Sequence, residues 1–190
     1  MRVIAGRLRG RRIEAPRGSR VRPTYDRVRA SVFDILGPDV EGARVLDLFA
    51  GSGALGIECI SRGAGSVIFV EMDRDVATVL RANLESLGVS GSAVVVRGDA
   101  LRLLAGAVPG GPFDIVFVDP PYGKGLEGAV LRRLSSWQGL APGARVLVEH
   151  ASGDEPGPEH GALVLERRER YGSTEVDFLR ARRVGGKEAL

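Results

Sequence analysis

Residues 45–58 read Val45-Leu-Asp-Leu-Phe-Ala-Gly-Ser-Gly-Ala-Leu-Gly-Ile-Glu58, an apolar strand that passes through a glycine-rich turn into a helix. Gly51, Gly53 and Gly56 match the G-x-G-x-x-G pattern, which indicates a tight turn whose following helix points its amino end at a ligand. The pattern alone is a weak indicator, and nicotinamide dinucleotides are one class of ligand that it allows. The sequence around the turn must therefore identify both the fold and the ligand.

Strand-like and helix-like runs alternate on both sides of this turn. Strands are predicted at 44–48, 66–71, 93–97, 113–119 and 145–150, and helices at about 54–62, 73–87, 100–105 and 127–137, after a first helix from Thr24 to Leu36. This alternation predicts an α/β fold, a Rossmann-like, doubly wound parallel sheet with helices on both faces. Leu163 to Tyr171 and Thr174 to Arg182, joined by Gly172-Ser173, predict an antiparallel C-terminal hairpin at one edge. The sheet is therefore expected to have seven strands, mainly parallel.

Composition narrows the class of protein. With 190 residues, 44% of them hydrophobic and 27% charged, we expect one globular, soluble and cytoplasmic domain, a monomer without a membrane span. Cys59 is the only cysteine, so an internal disulfide and a cysteine-based metal cluster are excluded. The small thiol is expected in the core. With only two histidines, no metal site is predicted.

Positive charge is concentrated at the amino end. Residues 1–29 contain ten arginines and two acids, about +8, which leaves about −5 for the remainder of a chain of net charge +3. This asymmetry is typical of a segment that binds a polyanion. We divide the chain into a short β-rich basic arm at 1–22, a catalytic domain at 23–184 and a tail at 185–190. Residues 1–22 contain short runs of alternating apolar and polar residues, interrupted by glycines and prolines, which predict small strands and loops.

Asp47 argues for a cationic ligand at the glycine turn. It ends the first strand four residues before Gly51, where a carboxylate would repel a pyrophosphate but suit an ammonium and a sulfonium. S-adenosyl-L-methionine carries both groups. Glu71 ends the second strand, where it would accept the ribose hydroxyls, with Met72 against the adenine. Asp99 follows the third strand, where it would accept the adenine amine or cap the next helix.

The fourth strand ends in Asp119-Pro-Pro-Tyr122, a combination suited to holding a planar ring by its exocyclic amine. Asp119 offers a carboxylate to that amine. Pro120 offers a carbonyl without a competing N–H, and Pro121 restricts the backbone further. Tyr122 offers a ring for stacking. The tetrapeptide predicts amine alkylation, with guanine N2, adenine N6, cytosine N4 and a glutamine amide all open as acceptors.

Several motifs together carry a family resemblance. They are Asp47 to Gly56, Glu71, Asp99 and Asp119 to Tyr122, with Val3-Ile-Ala-Gly6, Arg22-Pro-Thr24, Arg27-Val-Arg29 and Tyr171-Gly-x-Thr174. In this order they resemble the class I S-adenosyl-L-methionine-dependent methyltransferases, and within them the RsmD-type 16S rRNA (guanine-N2) methyltransferases, over nearly the whole chain. Ala30 departs from the pattern, since the family usually has glutamate there.

The resemblance implies an activity and a set of site residues. The expected reaction is methylation of the N2 amine of a guanine, at position 966 of 16S rRNA, in naked rRNA or in an assembling small ribosomal subunit. Catalysis is assigned to Asp119, Pro120, Pro121 and Tyr122. The cofactor residues are Asp47, Phe49, Gly51, Ser52, Gly53, Glu71, Met72, Asp99, Ala100 and Asp119, with Thr24 and Arg27 from the first helix. The RNA residues are Arg7, Arg9, Arg11, Arg12, Arg20, Arg22 and Arg29.

Three other functions stay open on the residues alone. A DNA amino-methyltransferase acting on adenine N6 or cytosine N4 would use the same tetrapeptide, although such enzymes generally need an added target-recognition region. A nicotinamide oxidoreductase is disfavoured by Asp47. An RNA-binding module with a vestigial pocket is disfavoured by the intact glycines, Glu71 and Asp119.

Overall fold

The computed structural model describes residues 1–16, 23–121, 125–154, 156 and 159–182, without the side chains of residues 23–25 and 159. The predictions for Arg20, Arg22, Tyr122 and the tail at 185–190 lie outside the described residues, as does the side chain of Thr24.

The described residues form five α-helices and eight strands, which alternate from the first helix to the fifth strand. The helices are α1 (Pro23–Leu36), α2 (Ala54–Ser61), α3 (Arg74–Leu87), α4 (Ala100–Leu103) and α5 (Leu126–Ser135). The strands are β1 (Arg44–Asp47), β2 (Ser66–Glu71), β3 (Ala93–Arg97), β4 (Phe113–Val118), β5 (Leu140–Ala151), β6 (Glu159–His160), β7 (Leu163–Tyr171) and β8 (Thr174–Ala181). They form one sheet in the order β3-β2-β1-β4-β5-β8-β7-β6.

The predicted sheet is confirmed, with one addition. β1 to β5 pair in parallel, and β8 pairs antiparallel with both β5 and β7. The two-residue strand β6, between β5 and β7 in the chain, pairs with β7 and is the eighth strand among the described residues. β5 also begins at Leu140, earlier than predicted, because a register shift lets Leu140 pair with Phe113 before the regular ladder resumes at Arg145. Pro142 and Gly143 lie between Leu140 and Arg145, and both residue types are unfavourable inside strands, so the sequence did not predict this extension.

The order of the strands places a crevice between β1 and β4. Connections run from β1 outward to β2 and β3, and then return to β4 and onward to β5. In an open α/β sheet this reversal separates the loops at the carboxyl ends of the strands, and ligands bind there. The glycine turn after β1 and the Asp119 tetrapeptide after β4 therefore face each other across the crevice.

Each face of the sheet is covered by its own apolar core. Ile57 of α2, Leu80 of α3 and Phe33 of α1 belong to one core, together with residues near the amino terminus. Ala100 of α4 and Leu131 of α5 belong to the other. Cys59 is fully buried in the first core, which confirms its prediction as a core residue. Within the described residues, no helix is long and apolar enough to span a membrane.

The amino-terminal segment is part of this first core. Val3, Leu8 and Ile13 are 2%, 6% and 0% exposed and pack against it. The prediction of a β-rich arm is wrong for residues 1–16, which contain one isolated bridge between Arg2 and Arg12 and a short 3-10 turn but no strand. Val3, Leu8 and Ile13 are five residues apart, a spacing that matches neither a strand nor a regular helix, so the segment reaches the core as loops and turns.

Glu58 fixes the segment to α2. Its carboxylate is fully buried and accepts hydrogen bonds from the backbone N–H groups of Ile4 (2.8 Å) and Ala5 (2.9 Å). It also pairs with Arg62 one turn later, at 2.9 Å. A buried carboxylate is costly unless such donors surround it, so this helix and the amino-terminal segment depend on each other.

We expect Glu58→Gln to lower the free energy of unfolding by about 2–4 kcal/mol. The amide offers one acceptor oxygen in place of two, and its NH₂ group faces a backbone donor. Denaturant unfolding measures the loss. The matched control is Glu85→Gln on the exposed side of α3, for which a change within about 0.5 kcal/mol is expected. Equal effects in the two variants would contradict the role of Glu58 as an anchor.

Candidate functional site

A cavity of about 540 Å³ lies at the carboxyl ends of β1 to β5. Nine of the predicted site residues line it: Phe49, Gly51, Glu71, Met72, Asp99, Ala100, Asp119, Pro120 and Pro121. Its volume lies within the range usual for pockets that bind small molecules and cofactors. Within the described residues, no group of three or more histidine, cysteine or acidic side chains is placed to hold a metal ion.

Glu71 is fixed by two backbone donors. The N–H of Gly51 donates to one carboxylate oxygen at 3.0 Å, and the N–H of Asp73 donates to the other at 2.8 Å. The first bond joins the end of β2 to the glycine turn after β1. Since each carboxylate oxygen has a second lone pair, Glu71 can accept further hydrogen bonds from the cavity while its own rotamer is held.

The end of β3 contributes Asp99 and Ala100. Asp99 caps α4 by accepting a hydrogen bond from the N–H of Arg102 at 2.8 Å, as the helix-cap alternative predicts. The same residue lines the cavity, so the cap and a contact with a ligand are compatible. Met72, at 66% exposure, lies at the rim, where a flexible thioether can cover a flat ring.

The glycine turn requires its glycines for conformation and for space. Gly53 has φ of +84°, and a Cβ there would lie 2.3 Å from Cδ1 of Leu80. Gly56 is as crowded, with Phe69 of β2 2.2 Å from the position of its Cβ. α2 therefore approaches β2 and α3 more closely than any side chain at these positions allows.

Asp47, Ser52 and Gly53 are buried and do not line this cavity, and they support the turn from its inner side. Their predicted contact with the cofactor stays a prediction. Asp47 is 1% exposed and accepts a hydrogen bond from the N–H of Gly56 at 3.3 Å. Burial raises the pKa of Asp47 to about 7, although the Gly56 bond opposes this, so the carboxyl is not a permanently charged counter-ion. The backbone carbonyl of Ser52 accepts from Asn83 at 3.0 Å, away from the cavity.

Asp119, Pro120 and Pro121 close the opposite wall. Asp119 and Pro120 follow directly after the last residue of β4, and Pro121 continues the lining. Pro120 is buried, whereas Asp119 is half-buried. Asp119 also lines a second, smaller cavity, together with Arg29.

Glu149 and Pro16 line the main cavity but were not predicted. Glu149 lies within β5 and borders both cavities together with Asp119. The sequence contains an indication of its role, because a carboxylate directly follows the apolar run Val146-Leu-Val148 within a predicted strand. Pro16 shows that the amino-terminal segment reaches the cavity.

The two arginines predicted on α1 are placed differently from expectation. Arg29 is 1% exposed and donates to the backbone carbonyl of Arg2 and to Asp26, so the prediction that it contacts RNA from an exposed surface is wrong. Its position next to Val28 on the buried side of the helix explains this, since the buried stripe of α1 is wide enough to include it. Arg27 is exposed and does not line the main cavity.

The remaining described arginines of the segment lie on the surface. Arg11 donates to the carbonyl of Ser86 at the end of α3 (2.8 Å), and Arg12 pairs with Glu14 (2.8 Å). Arg7 and Arg9 are exposed, and neither has an ion-pair partner in the described part of the chain. These arginines form a basic surface, Arg7, Arg9, Arg11 and Arg12, on the side of the sheet covered by α2 and α3.

Comparisons with known proteins agree with this architecture. The family model described as "Conserved hypothetical protein 95" matches residues 1–180. "Ribosomal RNA small subunit methyltransferase D" of Escherichia coli strain K12 is 44% identical over 149 residues, which cover 78% of this chain and 74% of that protein. The protein of the same name from Haemophilus influenzae is 38% identical over 170 residues and 88% of each chain. The solved structure "Putative methyltransferase yhhF" from Escherichia coli superposes with a TM-score of 0.86 at 38% identity and covers 96% of this chain and 98% of its own. This chain therefore belongs to the Conserved hypothetical protein 95 family, the RsmD-type methyltransferases.

Proposed function

We propose that the protein transfers a methyl group from S-adenosyl-L-methionine to the exocyclic N2 amine of a guanine in 16S rRNA, at position 966. The observation that carries the proposal is the single cavity that Glu71, Asp99 and Asp119 line from three neighbouring parts of the sheet edge. Carboxylates at the ends of β2 and β3 suit a nucleoside, and a carboxylate followed by two prolines at the end of β4 suits an amine.

The order of these groups along the sheet edge matches the order of groups in the cofactor. The adenine amine would donate to Asp99, and the ribose hydroxyls would donate to Glu71 on the neighbouring strand. The glycine turn after β1 would then face the amino acid portion. When bound, the cofactor supplies a methyl group that its sulfonium charge has already activated for in-line attack.

Asp119 and Pro120 would orient the attacking amine. The N2 lone pair of guanine is delocalised into the ring, so the amine is a weak nucleophile. Hydrogen bonds from N2–H to the Asp119 carboxylate and the Pro120 carbonyl favour a pyramidal nitrogen whose lone pair points at the methyl group. As the new C–N bond forms, the C–S electron pair returns to sulfur and the alkylated nitrogen releases a proton, so no strong general base is required.

The substrate must present an unstacked base, because a base that is paired and stacked within a duplex cannot enter a cavity of about 540 Å³. A nucleotide in an RNA loop satisfies this requirement at the smallest cost. Tyr122 is the proposed stacking partner, worth on the order of 1–3 kcal/mol. Arg7 and Arg9 flank Leu8, whose N–H donates to Ser61 at the carboxyl end of α2. The basic surface would hold the phosphates of flanking nucleotides.

Incubation of the protein with labelled S-adenosyl-L-methionine and small ribosomal subunits that lack the modification tests the proposal. Nucleoside analysis of the product should give N2-methylguanosine at one position. N6-methyladenosine or N4-methylcytidine would move the function to another amino-methyltransferase, and no label in RNA would refute an rRNA substrate.

Asp119→Ala should lower turnover by about 10- to 150-fold, because one charge-assisted hydrogen bond of roughly 1.5–3 kcal/mol is removed from the transition state. Single-turnover methylation of RNA measures the effect. Cofactor affinity, measured by calorimetry, should change far less than turnover. Turnover equal to that of the unaltered protein would remove Asp119 from the proposed mechanism.

Glu71→Gln should weaken S-adenosyl-L-methionine binding by about 10- to 100-fold, because the ribose hydroxyls lose a charged acceptor and Gly51 or Asp73 faces an amide NH₂ group. Calorimetric titration gives the Kd. Asp75→Asn removes the same charge from an exposed position at the start of α3 and serves as the control. Equal affinities in the two variants would argue against cofactor binding at the end of β2.

The double variant Arg7→Gln/Arg9→Gln should bind RNA more weakly and with a shallower salt dependence. The slope of log K against log salt should fall by about 0.7 for each phosphate that no longer has an arginine partner. These point changes preserve the buried residues of the segment, which a deletion would not. Arg132→Gln/Arg133→Gln on exposed positions of α5, on the opposite face of the sheet, removes equal charge. Indistinguishable slopes for the two variants would exclude the basic surface from RNA binding.

A further inference from the structure

We propose that Glu149 reads the N1–H of the target guanine beside Asp119, and that it determines the choice of guanine over adenine and cytosine. The inference rests on the proposed function and deepens it, since the Asp119 tetrapeptide by itself accepts any planar exocyclic amine. Glu149 would be a specificity-determining residue that contacts the substrate base.

Strand register brings Glu149 next to Asp119. β4 and β5 are parallel neighbours, and Val118 is paired with Val148. The next residue on each strand is a carboxylate, and neighbouring strands lie about 4.8 Å apart.

Phe117 and Leu147 are paired and both belong to the first core. Side chains alternate along a strand, so Asp119 and Glu149, two residues later, lie on that same side of the sheet. Both residues line the main cavity and the smaller cavity.

The position of β5 assigns Glu149 to the substrate side of the cavity. β5 lies beyond β4 in the sheet, whereas the strands that end in Glu71 and Asp99 lie on the other side of β4. The proposed cofactor extends from β3 to β1 and meets the substrate amine at β4. The part of the cavity at β5 is then occupied by the rest of the substrate base. Glu149 is therefore poorly placed for the nucleoside of the cofactor.

The donor pattern of guanine fits two adjacent carboxylates. On its Watson–Crick edge the ring N1–H lies next to the N2 amine, so both neighbouring groups donate. In adenine and cytosine the ring nitrogen next to the exocyclic amine has a lone pair and no hydrogen. That lone pair would face the Glu149 carboxylate without a proton between them, and an unpaired buried acceptor is strongly disfavoured. The same pair of carboxylates thus accepts guanine and rejects the other two amines.

Arg29 supplies positive charge at this position. It is buried and lines the smaller cavity together with Asp119 and Glu149. Two neighbouring carboxylates repel each other, and the positive charge of an arginine that lines the same small cavity offsets that repulsion. The burial that removes Arg29 from the RNA surface therefore places its charge where the two acceptors converge.

The test compares guanine with 2-aminopurine, which keeps the exocyclic 2-amine but has no hydrogen on N1. Small-subunit rRNA is ligated around a synthetic segment that carries either base at the target position, and kcat/KM is measured at saturating S-adenosyl-L-methionine. The unaltered protein should favour guanine by about 100-fold or more, as expected of a site built to hydrogen-bond a group that the analogue lacks.

Glu149→Gln should reduce this preference to about tenfold or less, because the amide can accept from N1–H of guanine or donate to N1 of 2-aminopurine. Asp99→Asn, a matched loss of one carboxylate on the cofactor side, should leave the guanine preference intact. Cofactor affinity of Glu149→Gln should equal that of the unaltered protein, which also verifies its fold.

Two results would overturn the inference while leaving the proposed function in place. The first is equal methylation of 2-aminopurine and guanine by the unaltered protein, a result that can be observed without any variant. The second is a Glu149→Gln protein with the full guanine preference. Failure of the unaltered protein to methylate guanine N2 at all would instead refute the proposed function and this inference with it.

Discussion

Two carboxylates hold the glycine turn between β1 and α2, and the rest of the site depends on that hold. Glu71 accepts from the N–H of Gly51 and Asp47 accepts from the N–H of Gly56, one on each side of the turn. The two bonds tie together β1, β2 and the first turn of α2. Without them the turn could not remain folded against the sheet, and the wall of the cavity on the cofactor side would be lost.

The amino-terminal segment extends this constraint from the turn to the basic surface. Asn83 of α3 accepts from the N–H of Glu14 at 2.9 Å and donates to the carbonyls of Glu14 (2.9 Å) and Ser52 (3.0 Å). One side chain thus joins the segment, α3 and the glycine turn. The arginines are therefore carried on a fixed surface, and an RNA held by them has a defined position relative to the cavity.

The alternation of strands and helices predicted the fold, and the fold in turn predicted the site, because ligands bind at the carboxyl ends of the strands in a doubly wound sheet. Glu71, Asp99 and Asp119 each follow an apolar run, and parallel strands bring their carboxyl ends to one edge. Side-chain direction was less predictable. Asp47 also ends a strand, but it turns inward to the backbone of Gly56, and a one-residue change in position decides between the two faces.

The exposure of Arg29 was misjudged from the sequence and Glu149 was not identified as a site residue, and the two errors have a related cause. Arg29 belongs to a dense run of arginines, so composition favoured the surface, whereas the buried stripe of α1 includes its position. Glu149 follows Val146-Leu-Val148 within a continuous strand, so the sequence marks it as an unusual carboxylate but does not show which cavity it reaches. Only the pairing of β5 with β4 brings it to the cavity that Asp119 lines.

The central claim is that one cavity holds the methyl donor at the ends of β1 to β3 and the guanine amine against Asp119, with the amine in line with the methyl group. A structure of the protein bound to S-adenosyl-L-homocysteine and an RNA loop containing the target nucleotide tests it most directly. We expect the ribose hydroxyls within about 3.2 Å of the Glu71 carboxylate and guanine N2 within the same distance of Asp119. A target base bound outside this cavity, or a nucleoside bound away from the end of β2, would contradict the account.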